Sequence, residues 1–299
     1  MIFLLTGSAE IQDSPPKNSI PIEEVGIRHF RYPASIAIDG NEQRSVLDID
    51  VSVGLDPDKK GASISRITDS ILEGLESESE YLDFKNVPEI IYVGIAQKIQ
   101  YSGKVSVHVK SEAFLPRMTK TGKESLVSYG IGSGYSVNTE MQPTKSIEVS
   151  FSGMNACPCT MEKTRSMLIS DRPEYEAFLR DIPVVTHNQR NIVNIALHGY
   201  DFDIKFSDLI NSCERVLGLP QLLKYGMDEE GRQIIDSHKN PKFIEDIVRE
   251  ISAEIIKSFP DLPDSVSLNV SSESLETMHP YNLYAKVTMT VGDLRKSLR

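Results

Sequence analysis

No run of apolar residues in the 299-residue chain approaches the roughly 20 that a bilayer span requires. The apolar start Met1-Ile2-Phe3-Leu4-Leu5 turns polar at Thr6-Gly7-Ser8 and has no basic flank. It is too short for a secretory leader, so the expectation is a soluble, cytoplasmic protein with no membrane partner. Cysteine is scarce: the three present are Cys157, Cys159 and Cys213. An odd count, with two of them separated by one proline, argues against a disulfide framework and leaves thiol chemistry as the point of interest. Glycine (18) and proline (16) are too few for collagen-like or linker-dominated architectures. Basic residues are outnumbered 43 to 32, and the net charge of −11 repels nucleic-acid phosphates. What is there, 39% apolar and 25% charged residues, suits one large globular domain or two of about 150 residues.

Residues 7–24 are rich in Ser, Pro, Asn, Asp and Glu and suggest a mobile lead-in up to residue 24. Residues 35–53 read as two strands around Asp39-Gly40-Asn41. After that turn Leu47, Ile49, Val51 and Val53 alternate with polar residues, the period of a half-buried strand. Ile64, Ile67, Ile71, Leu72 and Leu75 recur at helical spacing, which predicts a helix near 63–77. Strands are expected over 90–99, 103–110, 125–129 and 146–153. The second half repeats the order: a strand near 191–198, helices near 206–217, 228–238 and 240–258, then strands near 265–271 and 284–291. Strands, then helices, then strands, twice over, predict an α+β protein with antiparallel sheets and helices layered on one face. Residues 161–179 favour helix, are broken by Arg172-Pro173, and read as a surface excursion.

Four segments carry candidate chemistry. Cys157-Pro158-Cys159 follows a strand, and a thiolate there is a metal ligand or a nucleophile, unless the pair is merely buried. Thr186-His187-Asn188-Gln189-Arg190 gathers five polar groups at a strand entry, a candidate polar site. Asn240-Pro241-Lys242-Phe243-Ile244-Glu245-Asp246 reads as a helix start, with Asn240 as cap and Pro241 in the first turn. Glu273-Ser274-Leu275-Glu276-Thr277-Met278-His279 could bring Glu276 and His279 to one place, or could be a solvated loop. A cysteine, histidines and carboxylates suggest a mononuclear metal site with an open position, where a bound water loses a proton near neutral pH. No CxxC, HExxH or phosphate-cradling glycine loop is present.

These segments, with Val25-Gly26-Ile27, Lys60-Gly61-x-x-x-Ser65-Arg66 and Leu222-Leu223-Lys224, occur in one order from about residue 20 onward. In that order the chain resembles the type IB GTP cyclohydrolases, and within them the archaeal enzymes that open the methanopterin pathway. The long gap between Cys159 and His187 resembles the archaeal branch; bacterial members keep it short. The resemblance implies a tunnelling fold with two such units per subunit, here 25–156 and 157–299, the second carrying an insert at 160–185. It further implies an oligomeric barrel, a homodimer or homotetramer with active sites at subunit interfaces. The implied reaction is hydrolysis of GTP at C8 of guanine with release of formate, giving a dihydroneopterin cyclic phosphate. Ferrous iron is the implied cofactor, with Zn²⁺ or Mn²⁺ as alternatives.

Carried over position by position, the resemblance makes Cys157, His187 and Glu230 the metal ligands, with Glu229 an alternative to Glu230. It makes Glu245 the carboxylate that anchors guanine, and Cys159, Glu276 and His279 further active-site groups, His279 for proton transfer. The chemistry suits the residue types. An ionised carboxylate accepts both N1–H and the 2-amino group of guanine in charge-assisted bonds. GTP is anionic and so is the chain, so cations must gather locally; Lys60, Arg66 and Arg190 are the candidates, with Gln189 beside them. Ser63 stands where the family usually has His. Two further readings stay open at this point: a deazaguanine nitrile reductase of the same fold, using NADPH and a nucleophilic cysteine, and a non-catalytic purine-binding oligomer.

Overall fold

The computed structural model describes residues 11–76, 81–99, 103–119, 122–218 and 226–298. The segments Met1–Leu5 and Leu222-Leu223-Lys224 lie outside them. Contacts divide the chain into two compact units, Met1–Ser111 with Gly132–Ile147 and Glu112–Ile131 with Glu148–Arg299. Each is described by itself.

The first unit begins with a 3₁₀ turn at Ile11–Asp13, whose Gln12 carbonyl accepts from the N–H groups of Lys60 and Gly61. Strand β1 (Ile22–Ile38) and strand β2 (Asn41–Leu55) pair antiparallel, Ile38 opposite Asn41 and Ile27 opposite Val51. Asp39 and Gly40 both have positive φ, 51° and 86°, the conformation of a tight hairpin turn whose twist matches the strands it joins. Gly26 is required by close approach: a Cβ there would stand 1.9 Å from the Val51 carbonyl oxygen. Helix α1 (Ile64–Leu75) follows, then the two-residue strand β3 (Leu82–Asp83), parallel to β1, and helix α2 (Val87–Lys98). The expected strand over 90–99 is therefore corrected to a helix. Pro88 occupies its first turn, where a missing N–H costs nothing, and Val87, Ile91 and Ile95 are buried at four-residue spacing. Ile90 and Val93, on the other side, are also apolar, so the segment lacks the polar face by which a helical period is recognised.

Three long strands, β4 (Val105–Met118), β5 (Glu124–Val137) and β6 (Pro143–Ala156), contribute residues to both units. In the first unit the strand order is β3-β1-β2-β4-β5-β6. Its core is aliphatic: Ile49, Val51, Val53, Ile67, Ile71 and Ile91 are fully buried.

In the second unit β6 leads into helix α3 (Pro158–Asp171), a 3₁₀ turn at Pro173–Tyr175 and helix α4 (Glu176–Asp181). Arg172-Pro173 breaks this run as expected, and Arg165 closes it by donating to the carbonyls of Leu179 and Ile182. Strand β7 (Asn188–Gly199), helix α5 (Phe206–Leu217), helix α6 (Met227–Lys239), helix α7 (Ile244–Ser258), strands β8 (Ser267–Leu275) and β9 (Leu283–Thr290) and helix α8 (Val291–Ser297) complete it. The order here is β4-β5-β6-β7-β8-β9, with β7–β8 and β8–β9 antiparallel. Val193, Ile195, Leu197, Leu268 and Val270 are buried on these strands, as are Ile247, Ile251 and Ile255 of α7, which packs on α5, β8 and β9. Burying one such aliphatic side chain contributes roughly 1.5–3 kcal/mol. The helix expected over 240–258 begins only at Ile244; Asn240 instead caps the C-terminus of α6. The reason is tertiary. The Asn155 side chain donates to the Lys242 carbonyl (2.7 Å) and accepts from the Lys242 N–H (3.1 Å), which holds this stretch out of the helix. No helix among the described residues is long and apolar enough to cross a membrane.

Candidate active site

The site is built where β6 ends and β7 begins. Cys157 follows the last residue of β6 and is the N-cap of α3, its sulfur accepting from the Thr160 N–H at 3.5 Å. Its main-chain N–H donates to the His187 carbonyl (3.2 Å), and the Thr186 hydroxyl donates back to the Cys157 carbonyl (3.0 Å). Two segments 30 residues apart are thereby fastened side by side, while the intervening insert packs Met161, Val184 and Leu179 against Ala156. Cys159 is exposed in the first turn of α3.

A third segment closes on the same place. β8 pairs with β7 so that Asn191 faces Ser274 and Arg190 faces Leu275. Beyond the end of β8 the Thr277 hydroxyl donates to the Asn188 carbonyl at 3.1 Å. This brings ligand atoms of His187, Glu276 and His279 within 4.8 Å of one another. Glu276 Oε2 stands 3.9 Å from His187 Nδ1, and the two side chains are only 1% and 12% exposed. The His279 ring, exposed, meets His187 edge-on at 6.1 Å and stacks on Tyr281 at 5.2 Å. The buried Nδ1 of His187 has no hydrogen-bond partner among the described residues, nor do Gln189 Oε1 and Asn191 Oδ1 on the same strand. A buried nitrogen lone pair or N–H without a partner, beside a buried carboxylate and a second imidazole, is a donor set that suits a divalent metal of the Fe, Zn or Mn type. The residues present thus fit a divalent metal in general; of the three expected ligands the group contains His187 alone.

The other candidates fall as follows. Glu229 is 1% exposed and, with Met154, Asn155, Gln233, Asp236 and Lys242, lines a cleft of about 350 Å³; Glu230 is exposed on α6. The cleft borders the His187 segment through Met154, whose sulfur lies 3.5 Å from Asn188 Nδ2. Cys157 and Glu230 do not belong to the group formed by His187, Glu276 and His279. Glu245 is exposed in the first turn of α7, three residues after the Lys242 clamped by Asn155. Gln189 is buried and Arg190 exposed on opposite faces of β7. Lys60, exposed, and Arg66, half-buried on α1, belong to the first unit. Ser63, 8% exposed, stands at the N-cap of α1 without a side-chain capping bond. The sequence alone does not single out Ser274, which is buried beside Glu276. Its signal lies in β8 itself, whose inward positions pass from Leu268 and Val270 to Ser272 and Ser274.

Comparison with known proteins places the chain in a family. Residues 9–285 match the family described as Type I GTP cyclohydrolase folE2. GTP cyclohydrolase MptA of Thermoplasma acidophilum is 32% identical over 289 residues, covering 96% of this chain and 97% of that one. The protein of the same name from Methanosarcina mazei is 28% identical, covering 97% and 96%. Among solved structures, uricase from Arthrobacter globiformis shares the fold, with a TM-score of 0.53 at 6% identity over 89% of this chain and 93% of that one. A family match over most of the length, with near-complete coverage by a relative above 30% identity, leaves no room for the nitrile reductase reading: the chain belongs to the type I GTP cyclohydrolases.

Proposed function

We propose that this GTP cyclohydrolase, an enzyme of pterin and methanopterin biosynthesis, opens the imidazole ring of GTP at the start of β7 and releases C8 as formate, giving a dihydroneopterin cyclic phosphate. The observation that carries the reading is the convergence of His187, Glu276 and His279 from two distant segments. His187 and Cys157, with Glu229 or Glu230, would hold a divalent metal, ferrous iron first among the candidates, with Zn²⁺ or Mn²⁺ as alternatives. When bound, such an ion makes water a usable nucleophile near neutral pH.

The remaining work falls to the chain. Releasing C8 breaks its bonds to N7 and N9, so each leaving nitrogen must take up a proton. His279 suits that task because its ring is exposed and can be reloaded from solvent, whereas His187 is largely enclosed. Glu276, buried beside His187 with Oε2 3.9 Å from Nδ1, sets a carboxylate against that ring. Glu245 accepts from N1–H and the 2-amino group of guanine, a bidentate pairing that adenine cannot make. Gln189 and Arg190 complete the substrate set on this unit; Lys60 and Arg66, the other cations proposed to offset triphosphate charge, belong to the first unit. Cys159 belongs to the reacting side of the site. The finer architecture follows the same reading: tandem tunnelling units, 25–156 and 157–299, assembled as a homodimer or homotetramer into a barrel with interface sites.

The test is an anaerobic assay on GTP with iron-reconstituted protein, products identified by mass. Formate and a cyclic dihydroneopterin phosphate are expected. A folded, iron-loaded sample that releases no formate refutes the reaction.

A further inference from the structure

We propose that Ser274 is a positioning residue for Glu276, an inference that rests on the reading that Glu276 works in the site. Its hydroxyl donates to Glu276 Oε1 at 2.7 Å, and both side chains are 1% exposed. Among the described residues this is the hydrogen bond that the Glu276 carboxylate accepts; its other oxygen, Oε2, faces His187 Nδ1 at 3.9 Å. Ser274 thus holds one oxygen so that the other stays aimed at the imidazole. A carboxylate enclosed with so few partners is costly, and a single charge-assisted bond decides which rotamer it keeps.

The surroundings support a dedicated role. Ser274 lies at the end of an inward face of β8 that is apolar at Leu268 and Val270 and turns to hydroxyl at Ser272 and Ser274. Asn191, fully buried and opposite Ser274 in the β7–β8 register, donates to Ser272 at 3.2 Å rather than to Ser274. The Ser274 hydroxyl is therefore left to Glu276, while Asn191 is paired with Ser272. A buried hydroxyl spent on a buried carboxylate, on a sheet otherwise filled with Val, Ile and Leu, is a local violation of core packing, of the kind that functional sites impose.

The experiment compares Ser274→Ala, Ser272→Ala, Glu276→Ala and the Ser274→Ala/Glu276→Ala double variant. Formate release is measured against GTP concentration with iron-reconstituted protein, and thermal unfolding is recorded for each. Ser274→Ala is expected to lower kcat about tenfold or more, the range seen when a supporting hydrogen bond is removed behind a ligand, with KM changed less than about twofold. Ser272→Ala removes a neighbouring buried hydroxyl that does not touch Glu276 and is expected to leave kcat within about twofold of the parent, whatever it does to stability. The double variant is expected to be no slower than Glu276→Ala alone.

If Ser272→Ala slows turnover as much as Ser274→Ala, or if the double variant is slower than Glu276→Ala, the effect is structural and the inference is overturned. If Ser274→Ala turns over normally while Glu276→Ala does not, the inference fails and the proposed function stands. If Glu276→Ala is as active as the parent, the assignment of Glu276 fails first, and the role of Ser274 with it.

Discussion

The main-chain N–H of Cys157 donates to the carbonyl oxygen of His187 at 3.2 Å, so two candidate ligands are neighbours through their backbones before any side chain takes part. The consequence is that Cys157 can be altered without parting the strands. Cys157→Ser keeps an acceptor for the Thr160 N–H, and serine is a good N-cap, so the thermal midpoint should move by no more than about 2 °C. Metal content and turnover should both fall, turnover by about 100-fold or more. Metal analysis of the purified variant checks this; full metal occupancy in Cys157→Ser would remove the thiol from the ligand set.

Asn155 clamps Lys242 through both of its main-chain groups. Asn155→Ala leaves a buried N–H and a buried C=O unpaired, which should cost about 2–4 kcal/mol. The urea midpoint should drop without a change in slope. The start of α7 should also loosen, and with it Glu245, so KM for GTP should rise in protein that is still folded at low temperature. A variant as stable as the parent would show that water replaces the clamp.

Arg215 of α5 holds Glu254 of α7 at 2.6 Å and also donates to Ser258. That guanidinium bond keeps the Glu254 carboxyl below its ordinary value, against the opposing effect of desolvation and with help from the nearby Lys257 charge. The folded value is depressed, so the contribution is complete above the ordinary value of 4.5 and is lost as pH falls through the lower folded one. Glu254→Gln should therefore lower the thermal midpoint by about 1–2 °C at pH 7, a half-exposed pair being worth little. The difference should narrow progressively as pH falls below 4.5. A gap that widens on acidification would contradict the sign.

The three thiols differ in environment. Cys213 is fully buried on α5, and burial pushes its thiol well above the ordinary range, with the adjacent Glu214 charge adding to the effect. Cys159 is exposed and Cys157 half-buried. Under native conditions iodoacetamide should modify Cys159 first and Cys157 more slowly, and should reach Cys213 only after denaturation. Peptide mapping by mass decides it; early labelling of Cys213 would mean that α5 opens readily.

The identity of the family was written in local runs. CPC, THNQR, NPKF-x-ED and the glycine of Val25-Gly26-Ile27 are contiguous, and Gly26 is explained by one backbone contact with Val51. Strands that bury a single face, such as β2 and β7, declared themselves by alternation. Other features depended on partners far along the chain. α2 reads as a strand in the sequence because apolar residues on both faces erase the difference between a period of two and one of 3.6. The start of α7 shifted to Ile244 because Asn155, 87 residues before Lys242, competes with the local capping signal. The pairing of β7 with β8 selected His187, Glu276 and His279 as the group that meets, and the helical phase of α6 buried Glu229 rather than Glu230. Residue type and order are properties of a line and survive in the sequence. Convergence is a property of folded space, set by hydrogen bonds and burial between segments that no local window contains together.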